Sequence, residues 1–135
     1  MPDESVLDGG IFLGGGSTDQ DEAMRWFLRK ARGGDVIVFR NARNATSTST
    51  YPTADAYNPY FYSELGVKID SCETIFLNSP NVANDIDVSR LVRNAEAIFF
   101  TGGDQAFYWS NIKGTLLEDA LNYAVNVKKI AIGKK

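Results

Sequence analysis

The chain has 135 residues, 44% of them hydrophobic and 23% charged, the composition of one globular domain with a single sizeable core. Fourteen basic against 17 acidic residues leave a net charge of -3, too mild to point to a polyanionic partner. With no histidine and one cysteine, Cys72, these residues contain no disulfide framework, thiolate metal centre, or Ser-His or Cys-His pair.

No apolar run approaches the ~20 residues of a membrane span. The first ten residues are acidic and lack the basic and apolar regions of a signal peptide. A cytoplasmic protein is the default expectation, with secretion of a longer parent left open. Arg25, Arg29, Lys30 and Arg32 cluster on an expected helix and read as its solvated face, so neither nucleic acid nor membrane is expected as a partner. Cys72 reads as a small core residue.

Ile11-Phe12-Leu13 running into Gly14-Gly15-Gly16 predicts a first strand and its turn. Ser17 and Gln20 stand at capping-box spacing, and Ala23, Met24, Phe27, Leu28 and Ala31 share one helical face before Gly33-Gly34 stops it. Residues 36–39 predict a second buried strand. The polar stretch 41–53, rich in Ser and Thr, reads equally as a plain connection or as a functional loop at a strand's carboxyl end. Asn58-Pro59 opens a helix carrying Tyr60, Phe61, Tyr62 and Leu65, with Gly66 closing it. Its aromatics read as packing residues. Residues 74–77 are the third strand, and Asn78-Ser79-Pro80-Asn81 a turn.

Ile86, Val88, Leu91 and Val92 mark a helix ending near Asn94. Ala97-Ile98-Phe99-Phe100 then runs into Thr101-Gly102-Gly103-Asp104-Gln105, a buried strand whose carboxyl end delivers paired glycines. A short helix follows over 106–111, with a break at Gly114. Leu116, Leu117, Ala120, Leu121, Ala124 and Val125 make the clearest amphipathic helix, and Ile130-Ala131-Ile132-Gly133 begins a fifth strand.

Strands alternating with helices predict a three-layer, doubly wound α/β fold of the flavodoxin-like kind, with a mostly parallel sheet. With the apolar segments near 11–13, 36–39 and 97–100 central, the expected strand order is 3-2-1-4-5. The switch point then lies between the first and fourth strands, and the loops at Gly14-Gly15-Gly16 and Gly102-Gly103-Asp104-Gln105 meet at one crevice.

Two chemistries compete for that crevice. A glycine turn leading into a helix is an anion site, but Asp19 occupies the last glycine of a dinucleotide fingerprint. No Gly-Lys-Ser/Thr is present, and Arg40 stands where a ribose-binding acid is expected. A nucleotide- or phosphate-binding module is therefore the alternative reading. For acyl transfer, the two loops offer backbone N–H donors to an oxyanion, and a nucleophile turn belongs after the fifth strand. Asp19, Asp21 and Glu22, and Asp85 with Asp87, lack calcium-loop spacing and read as first-turn helix acids, so no metal or other cofactor is expected.

The glycine turn with its acidic helix start, Phe99-Phe100-Thr101-Gly102-Gly103-Asp104-Gln105, and Ile130-Ala131-Ile132-Gly133 resemble, at matching spacing, the N-terminal part of a cyanophycinase. Cyanophycinases belong to the S51 serine-peptidase family, which includes dipeptidase E. The resemblance implies a class I glutamine amidotransferase-like fold and serine-type hydrolysis of aspartyl or β-aspartyl peptide bonds. In cyanophycinases the substrate is a β-aspartyl-arginine polymer. The resemblance puts Gly102 and Gly103 at an oxyanion hole and Asp104 and Gln105 beside a peptide substrate. Gly15, Gly16 and, more loosely, Arg43, Thr46 and Ser47 are further candidates for substrate contact.

In such proteins the strand similar to Ile130-Ala131-Ile132-Gly133 continues into Gly-Thr-Ser-Ala-Gly, whose Ser is the nucleophile; here Lys134-Lys135 follow. The expectation is a single α/β domain over 1–135, truncated before the nucleophile elbow, without catalytic residues and inactive as a peptidase. The remaining alternative is a non-catalytic truncated folding domain with bare apolar surface, for which self-association such as a homodimer is expected.

Overall fold

Five strands form one all-parallel sheet: β1 (Gly10–Leu13), β2 (Asp35–Arg40), β3 (Ser71–Phe76), β4 (Ala97–Phe100) and β5 (Ala131–Lys134). The computed structural model describes residues 10–13, 21–40, 60–77, 79–101 and 105–134, with backbone alone for 10–13, 105 and 107. Between the strands run α1 (Asp21–Arg29), a π-helical turn α2 (Tyr60–Glu64), α3 (Pro80–Ala83), α4 (Ile86–Asn94), α5 (Gln105–Ile112), α6 (Leu116–Asn122) and its π-helical continuation α7 (Tyr123–Lys128).

A parallel sheet needs both faces covered, and the alternation along each strand shows how the cover divides. Val36 and Val38 of β2, Ala97 and Phe99 of β4 and Ala131 of β5 pack with Met24, Phe27, Leu28 and Ala31 and with Phe61 and Leu65. The intervening Ile37, Phe39 and Ile98 pack on the opposite face with Val88 and Val92 of α4, Ile112 of α5 and Leu117 and Ala120 of α6. Helices α1 and α2 thus cover one face and α3 to α7 the other, which is the doubly wound arrangement expected. On the first face the rings of Phe27, Phe61 and Phe99 meet at centroid distances of 5.5–6.3 Å.

The strand order is β1-β5-β4-β2-β3, not 3-2-1-4-5. The neighbours β3–β2 and β4–β5 are as expected, but β1 leaves the centre and pairs only with β5 among the described residues. Both sides of β4 are taken: Ala97 registers with Val36 of β2 and with Ala131 of β5, which leaves no edge for β1. Ranking strands by apolarity placed β1 above β5, and apolarity measures burial, not neighbours. Gly133 makes the β4–β5 contact close, since a Cβ there would stand 2.7 Å from Phe99 Cδ1 and 3.0 Å from Phe27 Cε1.

Three local expectations change as well. Ser79 is not mid-turn but the N-cap residue of α3, because Pro80 suits a first helical position. The amphipathic helix beginning at Leu116 widens to π-helical turns from Tyr123, and Ile130 N–H bonds Ala124 O at 3.0 Å beyond its end. Cys72 is half-buried, packed beside the Phe27 side of the core. The helix stops at Gly33 (φ +79°) and Gly66 (φ +75°) use the left-handed region that only glycine enters freely.

The amino end of the sheet is closed by polar contacts. Asp35 and Glu96 exchange bonds, Glu96 N–H to Asp35 O at 2.9 Å and Asp35 N–H to Glu96 Oε1 at 3.2 Å. Lys128 Nζ donates to Arg93 O and Ala95 O, at 3.2 and 2.8 Å, and pairs with Glu96 Oε2 at 3.3 Å. These contacts tie the amino ends of β2 and β4 to α4 and α7. No helix of the described residues is long and apolar enough to cross a membrane.

Candidate active site at the carboxyl edge

The next described helix after β2, α2, packs on the α1–α2 face, and the next after β4, α5, packs on the face of α3 to α7. Because β2 and β4 are neighbours, their carboxyl ends diverge, which is the topological condition for a ligand crevice. The crevice therefore falls between β2 and β4, not between β1 and β4. Leu13 and Phe100 both register with Lys134, so β5 separates the two glycine-bearing strand ends by two strand spacings, ~10 Å. The two loops do not leave adjacent strands, as the expected order required.

The ends of β2 and β4 are tied together by described groups. Thr101 N–H donates to Phe39 O at 3.0 Å, one residue past the end of β4. From α5, the Tyr108 hydroxyl returns to the same point, 3.1 Å from Phe39 O, 3.2 Å from Thr101 O and 3.2 Å from Thr101 Oγ1. Both residues are buried, at 5% and 6% exposure, so the bonds compete with little water. Phe100 stacks on Phe39 at 5.1 Å and receives Tyr108 edge-on at 5.5 Å.

A second anchor lies one turn along α5. Asn111, buried, donates from Nδ2 to Leu77 O at 3.1 Å, just beyond β3. Leu77 N–H in turn donates to Arg40 O at 2.8 Å. Tyr108 and Asn111, three apart on one helical face, hold α5 against the ends of β2, β3 and β4, while Trp109 and Ser110 face outward. The sequence reading missed both anchors. Their signal was the i, i+3 pairing of two hydrogen-bonding side chains on a helix that directly follows a glycine loop. Arg40, at the end of β2, lies with its guanidinium carbon 5.7 Å from the Phe76 ring centroid.

Of the candidate site residues, Gln105 is the first residue of α5. Gly15, Gly16, Arg43, Thr46, Ser47, Gly102, Gly103 and Asp104 lie outside the described residues. Among the acidic groups weighed for metal, Asp85 caps α4, its carboxylate accepting from Asp87 N–H at 2.8 Å. Asp21 accepts from the Tyr60 hydroxyl at 2.6 Å, joining α1 to α2. No cluster of His, Cys, Asp or Glu suited to a metal ion occurs among the described residues. Within the basic cluster, Arg25 pairs with Glu22 and donates to Leu65 O at 3.0 Å, and Lys30 lies over the Trp26 ring. Those contacts keep two of the four cations at the helix surface.

No protein-family model matches the chain, and no curated protein matches it in sequence. Among solved structures, it is similar to a peptidase from an acI-B1 Actinobacterium, with a TM-score of 0.60 and 19% identity, over 96% of this chain and 55% of that one. The chain thus spans about half the length of that peptidase. The likeness is one of fold.

Proposed function

We propose that the chain forms the oxyanion and substrate side of a serine-type peptidase acting on aspartyl or β-aspartyl bonds, of the cyanophycinase-like S51 kind. The observation that carries this reading is the position of β5 between β1 and β4. In the family that the sequence resembles, the nucleophile turn follows the strand similar to Ile130-Ala131-Ile132-Gly133. A turn leaving β5 would emerge one strand spacing, ~4.8 Å, from the end of β4 that leads into Gly102-Gly103. It would emerge equally close to the end of β1 that leads into Gly14-Gly15-Gly16. The fold likeness to a solved peptidase supports the same reading.

The chemistry follows from that placement. As a nucleophile attacks a peptide carbonyl, the carbonyl oxygen gains negative charge, and backbone N–H groups of Gly102 and Gly103 would donate hydrogen bonds to it. Glycine suits the task because the substrate must approach the backbone closely. Gln105, at the first position of α5, would hydrogen-bond the substrate's polar groups. The 135 residues contain no histidine, so they supply no imidazole base for a serine, and they are expected to bind without turning over.

Titrating the purified chain with β-aspartyl-arginine dipeptide, followed by the amide signals of Gly102, Gly103 and Gln105, should give saturable shifts and no hydrolysis above buffer. Absence of any shift, together with micromolar binding of NADP, FMN or ATP, would replace this reading by the nucleotide-binding module. Turnover blocked by a serine-directed phosphonate would overturn the inactivity.

A further inference from the structure

The outer surface of α4, α6 and α7 carries apolar side chains that the core does not use. Ile86 is 63% exposed and Val127 68%, and Leu116 and Tyr123 are exposed as well. The helices run side by side in step. Leu116 N–H donates to Asn84 Oδ1 at 3.1 Å at one end, and the Arg93 guanidinium carbon lies 5.2 Å from the Tyr123 ring centroid at the other. From Ile86 to Arg93 and from Leu116 to Tyr123 the distance along the chain is the same, so Ile86 is level with Leu116, Arg90 with Asp119 and Arg93 with Tyr123. Val88 and Val92 on α4, and Leu117, Ala120 and Ala124 on α6 and α7, are the buried sides of these helices. The level pairs therefore stand on the outward sides.

We propose that this face is a self-complementary docking surface for a second copy of the chain, paired about a two-fold axis that runs along the helices. Such an axis lays α4 of one copy on α6 of the other without reversing their direction, and every contact occurs twice. Each residue meets the one level with it: Ile86 the partner's Leu116, Arg90 the partner's Asp119, and Arg93 the partner's Tyr123. Apolar side chain meets apolar side chain, cation meets carboxylate, and guanidinium meets an aromatic ring. An axis across the helices would instead set Arg90 against the partner's Arg90 and Asp119 against the partner's Asp119. Like charges disfavour that arrangement, so the charges select one axis of the two. Arg90 keeps its exposed contact with Asp87 of its own helix, at 3.4 Å, because a guanidinium has five N–H donors.

Size sets the strength. At 1.5 Å per residue, α4 and the α6–α7 pair make a face roughly 15–20 Å long and ~20 Å wide, about 300–400 Å² per copy. That is below the ~800 Å² per partner of a standard interface, so the dimer is weak and reversible, with a dissociation constant of about 10–100 μM. The inference stands apart from the peptidase reading, since the face lies on the helical layer and not at the carboxyl edge of the sheet.

Sedimentation equilibrium of the 135-residue chain from ~10 to ~500 μM should show the mean mass rising toward that of a dimer. Raising the salt from ~50 to ~500 mM should weaken association severalfold, because the ion pairs sit at exposed positions. Ile86→Glu places a first-turn acid that suits the helix dipole, and Arg90→Glu sets a like charge against the partner's Asp119. Each should weaken association at least tenfold, with the urea midpoint showing that the fold persists. The reversed pair, Arg90→Glu with Asp119→Arg, should restore it, and Ile86→Glu alone serves if Arg90→Glu folds poorly. A monomer mass up to ~500 μM would overturn the proposal. Association that Ile86→Glu and Arg90→Glu leave unchanged would place the contact on another surface and overturn it equally. If Ile86→Glu abolishes association but the reversed pair does not restore it, the axis along the helices is what falls.

Discussion

At the scale of single residues, the contacts that matter are close approaches and shared donors. Gly133 lies against two phenylalanine rings that are themselves buried, so neither can swing away from an added methyl. Gly133→Ala should lower stability by ~1–3 kcal/mol, read as a fall in the urea midpoint at unchanged slope. Lys128 bridges two carbonyls at the end of α4 and one carboxylate, with side-chain exposures of 23% for Lys128 and 25% for Glu96. Lys128→Met keeps the stem and deletes the donors, and should cost about 1 kcal/mol, less at high salt. An unchanged midpoint would show that water replaces those bonds fully. Neither role was legible from one residue type: Gly133 reads as a strand-ending glycine, and Lys128 as a surface lysine, until the partner strands are in place.

At the scale of elements, boundaries follow local chemistry where local chemistry is complete. The strand expected over 36–39 is observed as Asp35–Arg40, and the helix ending near Asn94 as Ile86–Asn94. Asp85 supplies the cap of α4 by a side-chain bond, and Thr115 caps α6 by accepting from Glu118 N–H at 3.4 Å. Asp85→Ala and Thr115→Ala should each lower stability by about 1 kcal/mol in chemical denaturation. The α4 and α6 caps sit on helices that pack together, so the double variant tests whether the losses add. Elsewhere local signals were insufficient. The widening at Tyr123 leaves no mark in the helical spacing; at its end Lys128 reaches Ala95 O beyond α4, and Ile130 N–H bonds back to Ala124 O. The anchoring of α5 is similar: Asn111→Leu should cost ~1–3 kcal/mol by leaving Leu77 O without its donor, a penalty seen only once β3 lies beside α5.

At the scale of the whole molecule, β4, like its neighbour β2, contributes to both cores, with Phe99 on one face and Ile98 on the other. Phe99→Ala should cost ~3–5 kcal/mol, a large part of the 5–15 kcal/mol typical of a domain. Because β4 joins both helical layers, they should unfold together: circular dichroism and Trp fluorescence are expected to give coincident transitions in this variant. Separate transitions would show that the two faces are independent. The same centrality places the candidate site, since the strand that carries the glycine pair is also the one bounded by β2 and β5.

The sequence by itself determined the α/β class, the number of strands and most of their bounds, because period, glycine stops and apolar runs are local properties. It also marked the glycine-bearing end of β4 as the place to look. Only the tertiary structure decided which strands are neighbours, and so moved the crevice from β1–β4 to β4–β2 and put β5 between β1 and β4. It alone brought Tyr108 and Thr101 to Phe39, which lies 69 residues from Tyr108 in the chain. The reason is physical: strand apolarity reports how much surface must be buried, whereas neighbour choice is set by register, close packing at Gly133 and long-range hydrogen bonds that no local pattern encodes.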